Sequence, residues 1–489
     1  MSYPAPHAAA AVIPPVPYRT LTDPKLRLLI PMVVAVAFFM EQLDSTIITT
    51  SIPEIARSLG ENPLRLNLAI TSYLLSLAVF IPISGWIADR FGTRTVFCAA
   101  IGIFTLGSAL CGASTSLSML VVTRVLQGFG GAMMTPVGRL ILFRSFPKDG
   151  LITAMTYMTI PALIGPTLGP VIGGVLTTYA SWRWIFYVNI PIGAVGIALA
   201  LRYIEQVREP SPPRFDFIGF GILAVGLALL EFAIESLVRP VGEAGIGAFA
   251  VEAALFGTAF AILLVYRRHA RRCDSPALDL SLFQIRSFRI GVGIGGVCRI
   301  GLNAVPFLLP LLFQLGFGLS PLRSGLLTFM MSVGALVMRT MARRLLRTFG
   351  FRNLLIGNAV IGALAIAGLA LVHADTPHWV VVLYVLVFGV IRSTQFIGIN
   401  ALSYADVPGQ RMSGATSLGG VAQQLSMGFG VAVSAALLGM VTGPDGMVTV
   451  QGFDTVFILV ALVTLGSSGG FFRLDPRDGA EVSGHGATR

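Results

Sequence analysis

At 489 residues the chain is long enough for about three soluble domains. Its composition excludes them: 55% of residues are apolar and only 12% charged, against about 25% charged in a soluble domain. The net charge of +11 falls in short segments between apolar runs, a pattern of membrane topology and not of a nucleic-acid surface.

Residues 1–27 are rich in Pro and Ala, with no basic stretch ahead of an apolar core. They read as a disordered cytoplasmic tail and not as a secretory signal. Fourteen apolar stretches follow, each of about 20 residues or more and so long enough to span a bilayer. They lie at 28–52, 66–88, 95–113, 117–143, 151–178, 184–203, 215–236, 246–266, 288–315, 324–342, 352–373, 378–403, 413–442 and 453–472. The least regular are 246–266 and 324–342, which Glu252 and Arg339 interrupt. If the N-terminus lies inside, 25 of the 34 basic residues fall in inner segments and five in outer loops. That bias predicts an N-in, C-in protein. Only Lys25 and Lys148 are lysine, an arginine preference that fits a GC-rich bacterial genome and hence a bacterial inner membrane.

The predicted fold class is an all-α polytopic membrane protein. Phe-Gly-x-Arg occurs in DRFGTR (89–94) and again in RTFGFR (347–352), 258 residues apart and eight spans on. An echo at that offset fits two parallel six-helix bundles with two helices inserted between them. The expected domains are 28–203, an inserted pair at 204–287, 288–472, and a polar cytoplasmic tail at 473–489.

The first span places Glu41 and Asp44 on one helical face. Each carboxylate costs about 3 kcal/mol or more at the bilayer centre, so it needs a partner or a use. Proton exchange is the use expected of Asp44 and Glu41; a static ion pair is the plain alternative. Arg124 in the fourth span needs an anionic partner, for which Asp44 and Glu41 are the candidates, and Gly128, Gly130 and Gly131 allow close helix approach. Arg139, near the inner end, reads as snorkelling. In the loop GWIADRFGTR, Gly85, Asp89, Arg90, Gly92 and Arg94 suit an inner-face latch, Asp89 and the arginines forming ion-pair and helix-end contacts. The fifth span carries Gly165-Pro166, Gly169-Pro170 and Gly173-Gly174, a flat face on a helix that its prolines can bend.

These segments, with LDSTIITTSIP, RVLQGFGGA and WRWIFYVNIPIG, resemble the major facilitator superfamily, in particular its fourteen-span drug:proton antiporters of the EmrB/QacA type. The resemblance covers nearly the whole chain and is densest over 35–200. It implies that Asp44 and Arg124 serve proton coupling, that Asp89, Arg90 and Arg94 serve gating, and that Gly165–Gly174 favour antiport. Where the family often carries Asn-Val in the first helix, this chain has Thr49-Thr50.

A second departure is Arg299 and Arg392, each about mid-span, with Asn303 one turn from the first and Gln395 one turn from the second. Guanidiniums grip carboxylates or phosphates, so these four residues are candidate ligands for an organic anion or metal chelate; pairing with Glu231 or Glu252 is the structural alternative. Glu231 could also carry a second proton path, while Glu235 reads as solvated near a span end. No HExxH, paired cysteines or nucleotide loop appears, and Cys98, Cys111, Cys273 and Cys298 form no CxxC pair. The expectation is a non-enzymatic, monomeric exporter with no cofactor, no metal and no nucleic-acid partner. It would be driven by protons and would take multidrug-type or, alternatively, anionic cargo.

Overall fold

A computed structural model describes residues 25–209, 214–237, 246–442 and 448–483. Among them every regular element is helical, and twelve stretches are long and apolar enough to cross a membrane. Most of the N-terminal tail, the last six residues, Arg239, His7 and His485 lie outside the described residues.

The first group of helices comprises α1 (Leu26–Ile47), α2 (Ile52–Leu59), α3 (Asn67–Phe91), α4 (Thr93–Gly112), α5 (Leu117–Ser145), α6 (Lys148–Tyr179), α7 (Trp184–Tyr187) and α8 (Asn189–Tyr203). Then come α9 (Phe217–Glu235) and α10 (Ile246–Ala270). The second group is α11 (Arg286–Arg289), α12 (Gly295–Leu311), α13 (Pro321–Ala367), α14 (His378–Ala405), α15 (Met412–Met440) and α16 (Val450–Phe471), with a last turn, α17 (Ala480–Ser483). Local chemistry sets several boundaries. Ser116 accepts from the Met119 N–H to start α5, and Gly60 ends α2 in the left-handed conformation. Asp216 caps α9 by accepting from the Gly219 N–H at 2.8 Å, and it also meets His269 at 2.8 Å. Burial alone would raise the Asp216 pKa, but these hydrogen bonds and that of the Ala277 N–H hold it below the usual value.

The repeated Phe-Gly-x-Arg has a structural counterpart. Gly92, between α3 and α4, has φ 92° and ψ 144°, and Gly350 within α13 has φ 67° and ψ 171°. Both are backbone conformations that glycine adopts at least cost. At Gly350 the 51-residue stretch Pro321–Leu371 is broken into two helices in series.

Within the first group α1 packs on α6 and α8, and α5 on α3 and α4; within the second, α13 packs on α14 and α16, and α12 on α15 and α16. Two seams join the groups: α6 against α13, and α3 against α15. Helix α9 lies beside the second seam. Its start packs Phe217 on Trp86 and Phe220 on Phe80, with ring centroids 5.2 and 6.0 Å apart. Near its other end Glu231 approaches Gly428 of α15.

Candidate functional site

Asp44 is fully buried in α1, and three side chains from two helices aim donors at it. Arg124 of α5 donates through Nη1 to Oδ2 at 2.5 Å, Gln127 of α5 through Nε2 to Oδ1 at 2.8 Å, and Asn189 of α8 through Nδ2 to Oδ1 at 3.2 Å. All three contacts use the carboxylate as an acceptor, so the arrangement suits its ionised form. Arg124 is itself wholly enclosed. Its Nε donates to the Ala69 carbonyl of α3 at 2.8 Å, its Nη1 also reaches Gln127 Oε1 at 2.8 Å, and its guanidinium lies 4.3 Å from the Tyr73 ring centroid. Asn189 continues the network to Ser108 of α4 at 2.9 Å. One cluster thus ties five helices of the first group together through polar groups that have no water to fall back on.

The sequence left Asp44 and Glu41 open as partners of Arg124, and the geometry separates them. Arg124 takes Asp44, while Glu41 accepts from Thr135 Oγ1 at 2.7 Å. Arg139 is exposed and within electrostatic reach of both Glu41 and Tyr404. Gln127, Asn189, Ser108 and Tyr73 were not singled out from the sequence. An amide one turn from a buried arginine was the available signal for Gln127.

The α6 motif connects this cluster to the other group. A Cβ on Gly165, Gly169 or Gly173 would stand 2.9 Å from Phe39 O, 2.1 Å from Thr46 Oγ1 and 2.4 Å from Ile47 O, all on α1, the helix that bears the two carboxylates. Another face of α6 meets α13: a Cβ on Gly174 would stand 2.7 Å from Pro321 O, and one on Gly325 would stand 2.2 Å from Pro170 O. Pro170 has no N–H to offer the Pro166 carbonyl, and Ser332 Oγ of α13 donates to that carbonyl at 3.3 Å. The helix runs on through Pro161, Pro166 and Pro170.

In the loop motif Asp89 does not pair with Arg90 or Arg94, as the sequence suggested. Its Oδ1 takes Arg144 Nη2 from the end of α5 at 2.8 Å, because the helix ends converge there while Arg90 points outward. Gly92 leaves room for Gln206, whose Nε2 would lie 2.3 Å from a Cβ at that position. Gln206 donates to Phe91 O and Thr95 Oγ1. Around Gly85 a Cβ would meet nothing within 4 Å.

The second group holds the two mid-span arginines over one ring: Arg299 and Arg392 lie 5.3 and 4.8 Å from the Phe396 centroid. Arg299 Nη2 donates to Asn400 Oδ1 at 2.6 Å and Arg392 Nη2 to Asn303 Oδ1 at 2.9 Å. Neither has a carboxylate at ion-pair distance among the described residues, and Arg299 Nε, Arg392 Nε and Asn303 Nδ2 are buried without a partner. Gln395 does not join them. It accepts from Asn358 Nδ2 at 2.8 Å and donates to Leu355 O at 3.3 Å, because the α14 face that carries it is turned to α13. Glu235, read as solvated, accepts from Asn67 Nδ2 of α3 at 2.8 Å.

The chain is similar to known proteins along most of its length. The family profile described as Major Facilitator Superfamily matches residues 34–431. "Putative multidrug resistance protein MdtD" of Pectobacterium atrosepticum is 40% identical over 430 residues, covering 88% of this chain and 91% of that one. The protein of the same name from Cronobacter sakazakii is 41% identical over 414 residues, covering 83% and 85%. Among solved structures, a bacterial homolog of the human lysosomal transporter Spinster, inward-facing and unoccupied, superposes with TM-score 0.63 at 15% identity, over 92% of this chain and 97% of that one. The nucleoside transporter NupG gives TM-score 0.63 at 14% identity, over 92% and 100%.

Proposed function

Because the chain belongs to the major facilitator superfamily, and so is a membrane transporter and not an enzyme, we propose that it is a proton-coupled antiporter. It exports small molecules from the bacterial cytoplasm by alternating access. The multidrug-resistance name of its relatives supports an efflux role. The observation that carries the coupling is the enclosed Asp44–Arg124 pair. Protonating Asp44 removes the charge that holds Arg124, Gln127 and Asn189, and so loosens α1 from α5 and α8. Helix α6 lies between α1 and α13, which gives that loosening a route to the second group. Proton binding and cargo binding then oppose each other reciprocally.

The reading includes fourteen spans. These are the twelve long apolar stretches with Pro321–Leu371 counted as two, together with α6. The charge census supports N-in, C-in orientation, and the seams support bundles at 28–203 and 288–472 flanking the inserted pair at 204–287. The protein acts as a monomer in the inner membrane. Glu41 is a second titrating group, and the Asp89, Arg90, Arg94 loop gates the inner face. Asp44→Asn should abolish pH-driven export from everted vesicles when transport is measured per amount of folded protein. Export in that variant with undiminished proton dependence removes Asp44 from the mechanism.

One observation favours a second cargo class. The unpartnered donors of Arg299, Arg392 and Asn303 would complement the carboxylates of an organic anion or of a metal chelate. Proton release from purified protein in weak buffer distinguishes the two cargoes. A lipophilic cation alone eliciting it assigns the arginines to structure. A di- or tricarboxylate eliciting it, with loss in Arg299→Gln and Arg392→Gln, assigns them to cargo.

A further inference from the structure

The ends of the first and last helices of the second group leave a cavity of about 560 Å³ between them, lined by Arg286, Arg289, Ile290, Gly293, Ile294 and Arg473. On one wall Arg286, Arg289, Gly293 and Val297 recur at helical spacing, and Val297 is 42% exposed. The segment Ile290–Ile294 is a π-helical turn, a local widening often found at functional sites. On the other wall Arg473, Gly469, Gly466 and Leu462 recur at the same spacing, and Leu462 is 57% exposed. A Cβ on Gly293, Gly466 or Gly469 would meet nothing within 4 Å, whereas Gly470 packs directly on Ile294. The walls therefore touch at Gly470 and stand open beside it.

Charge is graded along this slot. Arg286 is fixed, its Nε and Nη2 donating to the Arg473 carbonyl and its guanidinium lying 3.5 Å from Asp478. Arg289 and Arg473 are exposed and have no ion-pair partner among the described residues. Three guanidiniums against one carboxylate leave an excess of positive charge at the mouth, and the surface running from it toward mid-span is apolar. A free phosphate would use only the mouth, and a neutral detergent only the slot. An anionic headgroup carrying acyl chains uses both.

We propose that this slot is a binding site for an anionic phospholipid, its phosphate on Arg289 and Arg473 and an acyl chain along Gly293 and Val297. The bound lipid pins the start of α11 to the end of α16. Basic pockets between transmembrane helices hold anionic headgroups by the same combination of charge and apolar contact.

The test is native mass spectrometry of the full chain in detergent, titrated with phosphatidylglycerol or phosphatidylcholine. Phosphatidylglycerol should bind with a stoichiometry of one at this site. The double variant Arg289→Gln, Arg473→Gln should bind it about thirtyfold more weakly, as expected from the loss of two interfacial charges. Gly293→Leu, whose Cβ meets nothing within 4 Å and whose branch extends into the slot, should weaken phosphatidylglycerol equally while leaving the arginines in place. Equal retention of phosphatidylcholine, or unchanged phosphatidylglycerol binding in the double variant, overturns the site. Displacement of the lipid by millimolar inorganic phosphate, with Gly293→Leu having no effect, overturns the lipid in favour of a free phosphate.

Discussion

At the scale of single residues, the Asp44–Arg124 cluster behaves as one unit. Each partner is fully buried, so removing one strands the other's charge in a medium that cannot solvate it, at a cost of about 3–5 kcal/mol. Arg124→Gln alone should therefore lower the thermal midpoint sharply. Arg124→Gln with Asp44→Asn should recover most of that loss, since two neutral amides can still hydrogen-bond to Gln127 and Asn189. A thermal-shift double-mutant cycle reads the difference, and additive effects of the two changes would show that the pair is not energetically joined. The charged members were legible in the sequence because a carboxylate and a guanidinium in an apolar run demand an explanation. Gln127 and Asn189 were not, since neutral amides are common in spans and only packing shows which of them converge. For the same reason the sequence joined Gln395 to Arg392: spacing gives the turn of the helix, whereas the neighbour at each face is set by the rotation of α14 against α13.

At the scale of helices, the glycine motif on α6 gains its meaning from what lies opposite. Gly173 faces the Ile47 carbonyl, where a Cβ would stand at 2.4 Å. Backbone cannot swing aside as a side chain can, so α1 and α6 must separate to admit it. Gly173→Ala should reduce both folded yield and export. Gly85→Ala, also within a family-like motif, meets nothing within 4 Å and should leave yield and thermal midpoint within about 0.5 kcal/mol of the parent, the range of an unconstrained surface change. Size-exclusion yield and thermal shift compare the two directly, and an equal loss in both would detach the α6 effect from its contact. The long helices were legible to within a few residues because twenty-residue apolar runs separated by arginines have few other readings. The break at Gly350 was legible for the same reason, its arginines marking a loop that the helical backbone nearly conceals. What the sequence could not give was the partner of Asp89. Three arginines share that face, and the convergence of α3 and α5 chooses Arg144.

At the scale of the whole molecule, the two groups of helices meet along α6–α13 and α3–α15. If they rock about these seams, contacts across a seam must open and close while contacts within a group persist. Neighbouring residues on α6 separate the two cases. Thr178 Oγ1 accepts from the Leu322 N–H of α13 at 3.2 Å, across the seam. Thr177 Oγ1 lies 2.6 Å from Ser51 Oγ, within the first group. With Cys98 and Cys273, the two cysteines that are not buried, replaced by Ser, a Thr178→Cys, Leu322→Cys pair should cross-link under mild oxidation and halt export until reduced. A Thr177→Cys, Ser51→Cys pair should cross-link as readily and leave export running. Arrest by both would mean that α6 itself must flex against the α1–α2 junction, and arrest by neither would place the moving interface elsewhere. Because the two pairs sit one residue apart on the same helix, a general effect of oxidation or of cysteine near the membrane surface falls on both. Only motion between the groups can divide them.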